Sequence, residues 1–297
     1  MPPTTMADAP EFLTVKELAE LLRVKERKVY DMAANGSVPC SRATGKLLFP
    51  RAEIRAWIEG ASSGAPAPAP TAARPPIVLG SHDPLLDWAI RASGSGLATF
   101  FDGSGDGLAR FVQGEGVAAG LHLYDQDSDD WNVPSVAQAC AGANAVLVGF
   151  ARRSKGLVIP KGSGIAGMAD LAGKRVAPRQ DGSGTALLFA ALAARDGLAP
   201  DAPILTDTAR TETEAVEAVA RGDADATLGL AAIAQLHDLS FVPLTEERFD
   251  LLVDRRAWFD APMQAFMAFC RGPVFRDRAK AMGGYDVAGV GSVRWNA

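Results

Sequence analysis

Apolar positions in the first sixty residues recur at helical spacing between turn signals. Val15, Leu18, Leu21 and Leu22 form one stripe behind Thr14-Val-Lys-Glu17, a capping box in which hydroxyl and carboxylate each satisfy a backbone donor. This predicts a first helix ending near Arg23. After the short Arg23-Val24 break, Lys25 to Ala34 reads as a second helix with Val29 and Ala33 inward, stopped by Asn35-Gly36, a pair suited to a left-handed cap. Val38 to Arg42 and Lys46 to Phe49, around Thr44-Gly45, read as a two-stranded wing. Pro50 then opens a helix in which Ile54, Trp57 and Ile58 face one way.

The pattern breaks at residues 61–76, ASSGAPAPAPTAARPP, where alternating Ala and Pro disfavour a helix and favour a semi-stiff spacer. The expected organisation is a small domain at 11–60, a linker at 61–76 and a larger domain at 77–297. Past the linker, short apolar runs alternate with amphipathic stretches, the rhythm of an α/β domain. Ile77-Val78-Leu79 leads into Gly80-Ser81-His82-Asp83-Pro84, and Leu85, Leu86, Ala89 and Ile90 follow at helical spacing. Thr99-Phe100-Phe101 leads into Asp102-Gly-Ser104-Gly105-Asp-Gly107, with a helix expected from near Leu108. Val117 to Leu121 ends in His122-Leu-Tyr-Asp125. Lys174 to Ala177 leads into Arg179-Gln-Asp-Gly182-Ser183-Gly184-Thr185 and a helix over 186–195. Thr211-Glu-Thr-Glu214 is a second capping box, Thr227 to Leu230 is a strand, and the chain returns through Phe249 to Val253. In open α/β sheets the edge where strands meet helix entrances is where ligands bind.

Composition narrows the class. The chain has 297 residues, 48% hydrophobic and 22% charged, which suits a packed globular protein rather than a disordered one. No window approaches the roughly 18 uninterrupted apolar residues of a membrane span, and MPPTTMADAP has no secretory pattern, so a cytoplasmic protein without membrane association is expected. Cys40, Cys140 and Cys270 are far apart, so neither a disulfide framework nor a metal site is expected. The formal charge of −5 is uneven. Residues 1–60 hold nine basic residues (Lys16, Arg23, Lys25, Arg27, Lys28, Arg42, Lys46, Arg51, Arg55) against eight acidic ones, leaving the acidity in the larger domain.

Leu13-Thr-Val-Lys-Glu-Leu-Ala19, Val29-Tyr30, Gly36, Val38-Pro39, Phe49 and Ile54-Arg-Ala-Trp-Ile58 together make the small domain resemble an excisionase-type, MerR-like winged helix-turn-helix domain. The resemblance implies DNA as a partner, with Lys25, Arg27, Lys28 and Tyr30 on the second helix and Arg42 and Lys46 on the wing as contacts. Glu26 and Asp31 on the same helix depart from that pattern. The larger domain resembles a type II periplasmic-binding-protein domain of the molybdate-binding kind. The residues carrying this are Gly80-Ser-His-Asp83, Gly103-Ser-Gly105, His122-Leu123, Gly164 to Leu171, Arg179 with Gly182-Ser-Gly-Thr185, Gly222-Asp-Ala-Asp225 and Gly284-Tyr-Asp286. The resemblance implies an α/β fold of two lobes, roughly 77–150 plus the C-terminal helices and 151–255, closing on a small ligand.

The expected ligand residues are Ser81, His82, Ser104, His122, Arg152, Arg179, Ser183 and Thr185, with Arg153 a further candidate. Hydroxyls and helix N-termini suit an oxyanion, and arginines add charge-assisted hydrogen bonds. Asp83 before Pro84 reads as a helix cap. Asp223 and Asp225 read as a helix end and a strand start. Ser183 lacks a Gly-x-Ser-x-Gly elbow, and Gly103-x-Gly105-x-Gly107 departs from a dinucleotide fingerprint, so neither a hydrolase nor NAD binding is expected. The sequence therefore predicts a homodimeric, ligand-responsive transcription regulator with no catalytic residues and no cofactor beyond a bound oxyanion such as molybdate or tungstate. A cytoplasmic sensor or adaptor acting through protein contacts is the alternative. An enzyme using His82 and His122 as acid and base is a third class.

Overall fold

A computed structural model describes residues 11–41, 45–61 and 73–297. The chain divides into two compact units, Met1–Ala73 and Arg74–Ala297.

In the first unit, strand β1 (Phe12–Leu13) pairs antiparallel with β2 (Phe49–Pro50), setting Leu13 opposite Phe49. Between them run α1 (Val15–Leu22) and α2 (Glu26–Ala34), and α3 (Arg51–Ala61) follows β2. The capping box forms: the Thr14 hydroxyl accepts the Glu17 N–H at 3.3 Å and the Glu17 carboxylate accepts the Thr14 N–H at 2.7 Å. Arg23 ends α1 in the left-handed region, φ 53°. Leu13, Leu18, Val29, Phe49 and Ile54 close an entirely apolar core. Ile58 departs from expectation, being 38% exposed while Trp57 packs on the core. Pro50 belongs to β2, so α3 begins at Arg51. Of the wing, Ser41 bridges Leu48 antiparallel, while Arg42 and Thr44 lie outside the described residues, as does 62–72 of the linker.

The second unit begins at Arg74, whose side chain reaches Asp254 at 3.3 Å, inside the stretch expected to be linker. Its first lobe starts with β3 (Ile77–Gly80), α4 (Pro84–Ala92), β4 (Ala98–Phe101), α5 (Ser104–Val112) and β5 (Ala118–Leu121), with β3 parallel to both β4 and β5. The hairpin β6 (Tyr124–Asp125) and β7 (Asp130–Trp131) and helix α6 (Val133–Ala139) lead to β8 (Ala145–Ile159), which crosses into the second lobe. There follow β9 (Arg175–Val176), α7 (Gly184–Arg195), β10 (Ile204–Leu205), α8 (Glu212–Ala220), β11 (Thr227–Leu230) and α9 (Ala231–Leu236). β12 (Ser240–Asp254) then carries the chain back, and α10 (Arg255–Trp258), α11 (Ala261–Cys270), α12 (Pro273–Met282), β13 (Tyr285–Asp286) and β14 (Val293–Asn296) finish the first lobe. The main sheet runs β11-β8-β12-β5-β3-β4, with β13 and β14 also on β8.

Two features differ from the sequence reading. β8 and β12 are each 15 residues long and pair antiparallel from Ser240 opposite Ile159 to Asp254 opposite Ala145, forming a ribbon shared by both lobes. Phe249 to Val253 is only its final third, so the second lobe ends within β12 and not at 255. The other difference is α5, which starts at Ser104 rather than near Leu108. Its first turn lies so close to β3 that a Cβ at Gly107 would fall 2.2 Å from the Gly80 Cα, and glycine is what permits that approach.

Candidate functional site

The middle of the ribbon is charged where a core is ordinarily apolar. Arg153 on β8 stands opposite Glu247 on β12, and both are buried. Arg153 donates to Glu247, and to Asp83 Oδ2 at 2.9 Å. Asp83 also acts as the expected cap, its Oδ1 accepting the Leu86 N–H at 2.7 Å, while Tyr285 Oη donates to Oδ2 at 2.7 Å. Two residues along β8, buried Lys155 Nζ donates to Glu212 Oε1 at 2.6 Å and to the Thr185 hydroxyl at 3.0 Å. Arg179 Nη1 lies 3.2 Å from the same Glu212 oxygen. Asp83, Glu247 and Glu212 thus balance Arg153, Lys155 and Arg179 in one chain running from lobe to lobe. Charges taken out of water need such partners.

The protonation states follow. Burial pushes the Glu247 carboxyl up, but Arg153 and Lys155 overcome it and hold the group well below the usual carboxylate range. Burial likewise raises Glu212, and Lys155 with Arg179 brings it down to about 2. Burial drives the His122 imidazole below its ordinary value against the pull of Glu247, so the ring is neutral near pH 7. His122 Nδ1 lies 3.2 Å from Glu247 Oε2. An ionised carboxylate only accepts, so Nδ1 carries the hydrogen.

Beside this chain lies a cavity of about 20 Å³ between the lobes, room for about one water. The first lobe lines it with Ser81, His82, Phe101, Gly103 and His122, and the second with Arg179, Ser183, Arg210, Thr211 and Glu212. Four helices begin here. Ser81 and His82 lie just before the Asp83 cap of α4, Gly103 caps α5, Ser183 caps α7 and Thr211 caps α8. Converging helix N-termini present backbone N–H groups and positive dipole ends. The lobes also touch directly: a Cβ at Gly184 would fall 2.5 Å from the His122 carbonyl oxygen.

Five of the residues singled out in the sequence line this cavity: Ser81, His82, His122, Arg179 and Ser183. Ser104 and Thr185 sit one layer behind. The Ser104 hydroxyl contacts Ser81 Oγ at 2.7 Å and accepts the His122 N–H at 3.0 Å, and Thr185 belongs to the Lys155–Glu212 cluster. Arg152 is not brought to the cavity. Its side chain is 55% exposed and 4.0 Å from Glu246, because successive strand residues face opposite ways and Arg153 takes the inward place. Arg179 is already engaged, by Glu212 and by the carbonyls of Ala209 and Arg210. The sequence reading missed Arg210, Thr211 and Glu212 as lining residues. Thr211 did stand out as a helix cap, and a cap at the sheet edge is itself a pointer to the cleft.

In the small domain, α2 buries Val29 and Ala33 and exposes Arg27, Lys28 and Tyr30, with Lys25 at its N-cap. Glu26 and Asp31 are exposed on the same helix, and Lys46 is exposed beside Leu47 and Leu48. No helix among the described residues is long and apolar enough to cross a membrane.

A family model described as a PBP superfamily domain matches residues 88–271, and one described as a helix-turn-helix domain matches residues 12–62. "Uncharacterized protein YvgK" of Bacillus subtilis (strain 168) is 24% identical over 299 residues, covering 94% of this chain and 96% of its own. Among solved structures, a putative phosphate ABC transporter substrate-binding protein with bound phosphate from Clostridium perfringens has a TM-score of 0.51 at 12% identity, covering 69% of this chain and 96% of that one. The alkanesulfonate-binding protein SsuA from Xanthomonas axonopodis pv. citri, bound to MOPS, has a TM-score of 0.45 at 20% identity, covering 71% and 78%.

Proposed function

The chain belongs to the PBP superfamily, and on that premise we propose that it is a ligand-responsive, DNA-binding transcription regulator whose ligand is a small anion held between the lobes. The observation that supports the ligand class is the meeting of four helix N-termini at one cavity lined by hydroxyls. Oxyanions, molybdate and tungstate among them, belong to that class. The cavity admits little more than a water as it stands, so binding requires the lobes to part and close again, and closure is the signal. The helix-turn-helix domain, with Lys25, Arg27, Lys28 and Tyr30 on α2, supplies the output. A homodimer in the cytoplasm reading two half-sites is the arrangement this geometry suits.

The test has two halves on the full chain. Melting temperature is measured across molybdate, tungstate, phosphate, sulfate and small carboxylates, and a saturable rise with at least one is expected. Binding to the DNA upstream of its own coding region is then followed with and without that anion as salt is varied. Affinity should fall steeply with salt and change with the anion. Absence of any anion-dependent shift defeats the ligand half, and absence of a salt-dependent complex defeats the DNA half. The latter outcome would favour the adaptor reading, for which Glu26 and Asp31, exposed on α2, are the specific observation.

A further inference from the structure

Arg152, which does not reach the interlobe cavity, lines a different one. This second cavity, of about 370 Å³, lies between residues 149–152 of β8 and the C-terminal chain at Asp286, Gly289 and Arg294, and shares no lining residue with the first. It arises where pairing along one edge of β8 is interrupted. Asp286 on β13 stands opposite Arg152 and Val293 on β14 opposite Val148, and between them the chain turns over 288–291. The turn is fastened to β8 at its far end, Gly149 N–H donating to the Ser292 carbonyl and Gly291 N–H to the Gly149 carbonyl, each at 2.8 Å.

Neither guanidinium in the lining makes a hydrogen bond among the described residues. Arg152 has only exposed Glu246, at 4.0 Å, a separation at which a solvated pair holds little. Arg294 has Asp250 Oδ1 at 3.8 Å from Nε, too far to accept, and the other Asp250 oxygen already takes the Asn132 amide at 2.8 Å. The Arg294 guanidinium lies close against backbone, since a Cβ would fall 3.2 Å from Nη2 at Gly149 and 3.0 Å from it at Gly289. Asp286 is the acid of the lining, and its Oδ1 accepts the Ala288 N–H at 2.9 Å. The lining thus carries two positive charges against one negative, both positive ones with their planar donor forks unused. Such forks match the paired oxygens of a carboxylate or phosphate.

We infer that this cavity is a second anion site, separate from the interlobe cleft, which takes a small organic molecule by a carboxylate or phosphate group engaged by Arg152 and Arg294. Its volume is that of a site for an organic molecule rather than a single inorganic ion. The inference does not depend on what the cleft binds.

Calorimetric titration of the full chain at pH 7 and low salt, with succinate and citrate as carboxylates and glycerol 3-phosphate as the phosphate, tests it and tells the two groups apart. At least one should bind saturably. Arg152→Met and Arg294→Met should each weaken that binding about tenfold or more. The same charge change at Arg91→Met, on a side chain 71% exposed on α4, should leave it unaltered. If Arg294→Met fails to fold, Arg152→Met decides alone, because its half-exposed side chain has no hydrogen bond to lose. Binding unchanged in either cavity variant, or weakened equally by Arg91→Met, overturns the inference and leaves the cleft reading standing. So does the absence of saturable binding by all three probes.

Discussion

The small domain and the hinge of the large one solve the problem of a core in opposite ways. Leu13, Leu18, Val29, Phe49 and Ile54 fill the first with apolar side chains alone. At the centre of the β8–β12 ribbon, Arg153, Lys155 and Glu247 hold equally buried positions with charge. An apolar core loses stability in proportion to volume removed, and neighbours relax to blunt the loss. A charged core is intolerant of imbalance, since removing one partner takes a counter-charge from the others. The difference suits the two roles proposed above, in which one region has only to hold a surface steady while the other lies where two lobes part and close.

The sharpest way to break that contrast is Arg153→Met, which keeps volume and removes charge. Asp83 and Glu247 lose the guanidinium they share in the buried network, and the large domain should lose about 3–5 kcal/mol, measured by urea unfolding followed with tryptophan fluorescence. The double variant Arg153→Met with Glu247→Leu should recover part of it; a loss in the double variant equal to the sum of the two single ones would show the network is not coupled. In the small domain the counterpart is Leu18→Ala, expected to cost about 2–5 kcal/mol. Calorimetry should show its transition moving down while that of the large domain stays in place.

Acid should also separate the two regions. The folded His122 sits below its ordinary value of 6.5, so below pH 6.5 the unfolded chain takes up a proton that the folded one refuses, and stability falls as pH falls. Glu212 repeats this lower down: its contribution is whole above 4.5 and is lost as pH falls from 4.5 towards about 2, in total on the order of 3 kcal/mol. Melting curves of the large domain should therefore decline in two stages, and His122→Gln should remove the first. The small domain has no histidine and should be flat through that stage. The smallest expected effect is Thr14→Ala, which removes the hydroxyl half of the capping box and should lower the small domain's stability by about 1 kcal/mol.

Legibility in the sequence followed the same division. Thr14-Val-Lys-Glu17 and the inward pair Val29 and Ala33 are local patterns, and the helices they predict are present. Asp83 was legible as a cap for the same reason, but its second oxygen binds Arg153, 70 residues away, and no local rule contains that. β8 was hidden because Arg152-Arg153-Ser154-Lys155 reads as a break, although two of its charges face a buried network. Whether Arg152 or Arg153 points inward depends on which face of the strand is buried, and the apolar residues around them show no alternation that decides it. Glu247 lies in the polar stretch Thr245-Glu-Glu-Arg248, where neither its burial nor its partner leaves a trace.

The clearance at Gly184 bears on how such a switch could be retuned. The joined arrangement leaves no space for a Cβ against the His122 carbonyl, so Gly184→Ala would act as a wedge of one carbon. It would lower the fraction of molecules able to close without replacing any residue of the cavity lining. Apparent affinity is the intrinsic affinity scaled by that fraction. The wedge should weaken every ligand by one common factor, leaving their ranking untouched, whereas a change at a lining hydroxyl such as Ser183 should reorder them. Sensitivity and selectivity would then be set at separate positions, and comparing ligand rankings between G184A and the unaltered chain would show whether they are.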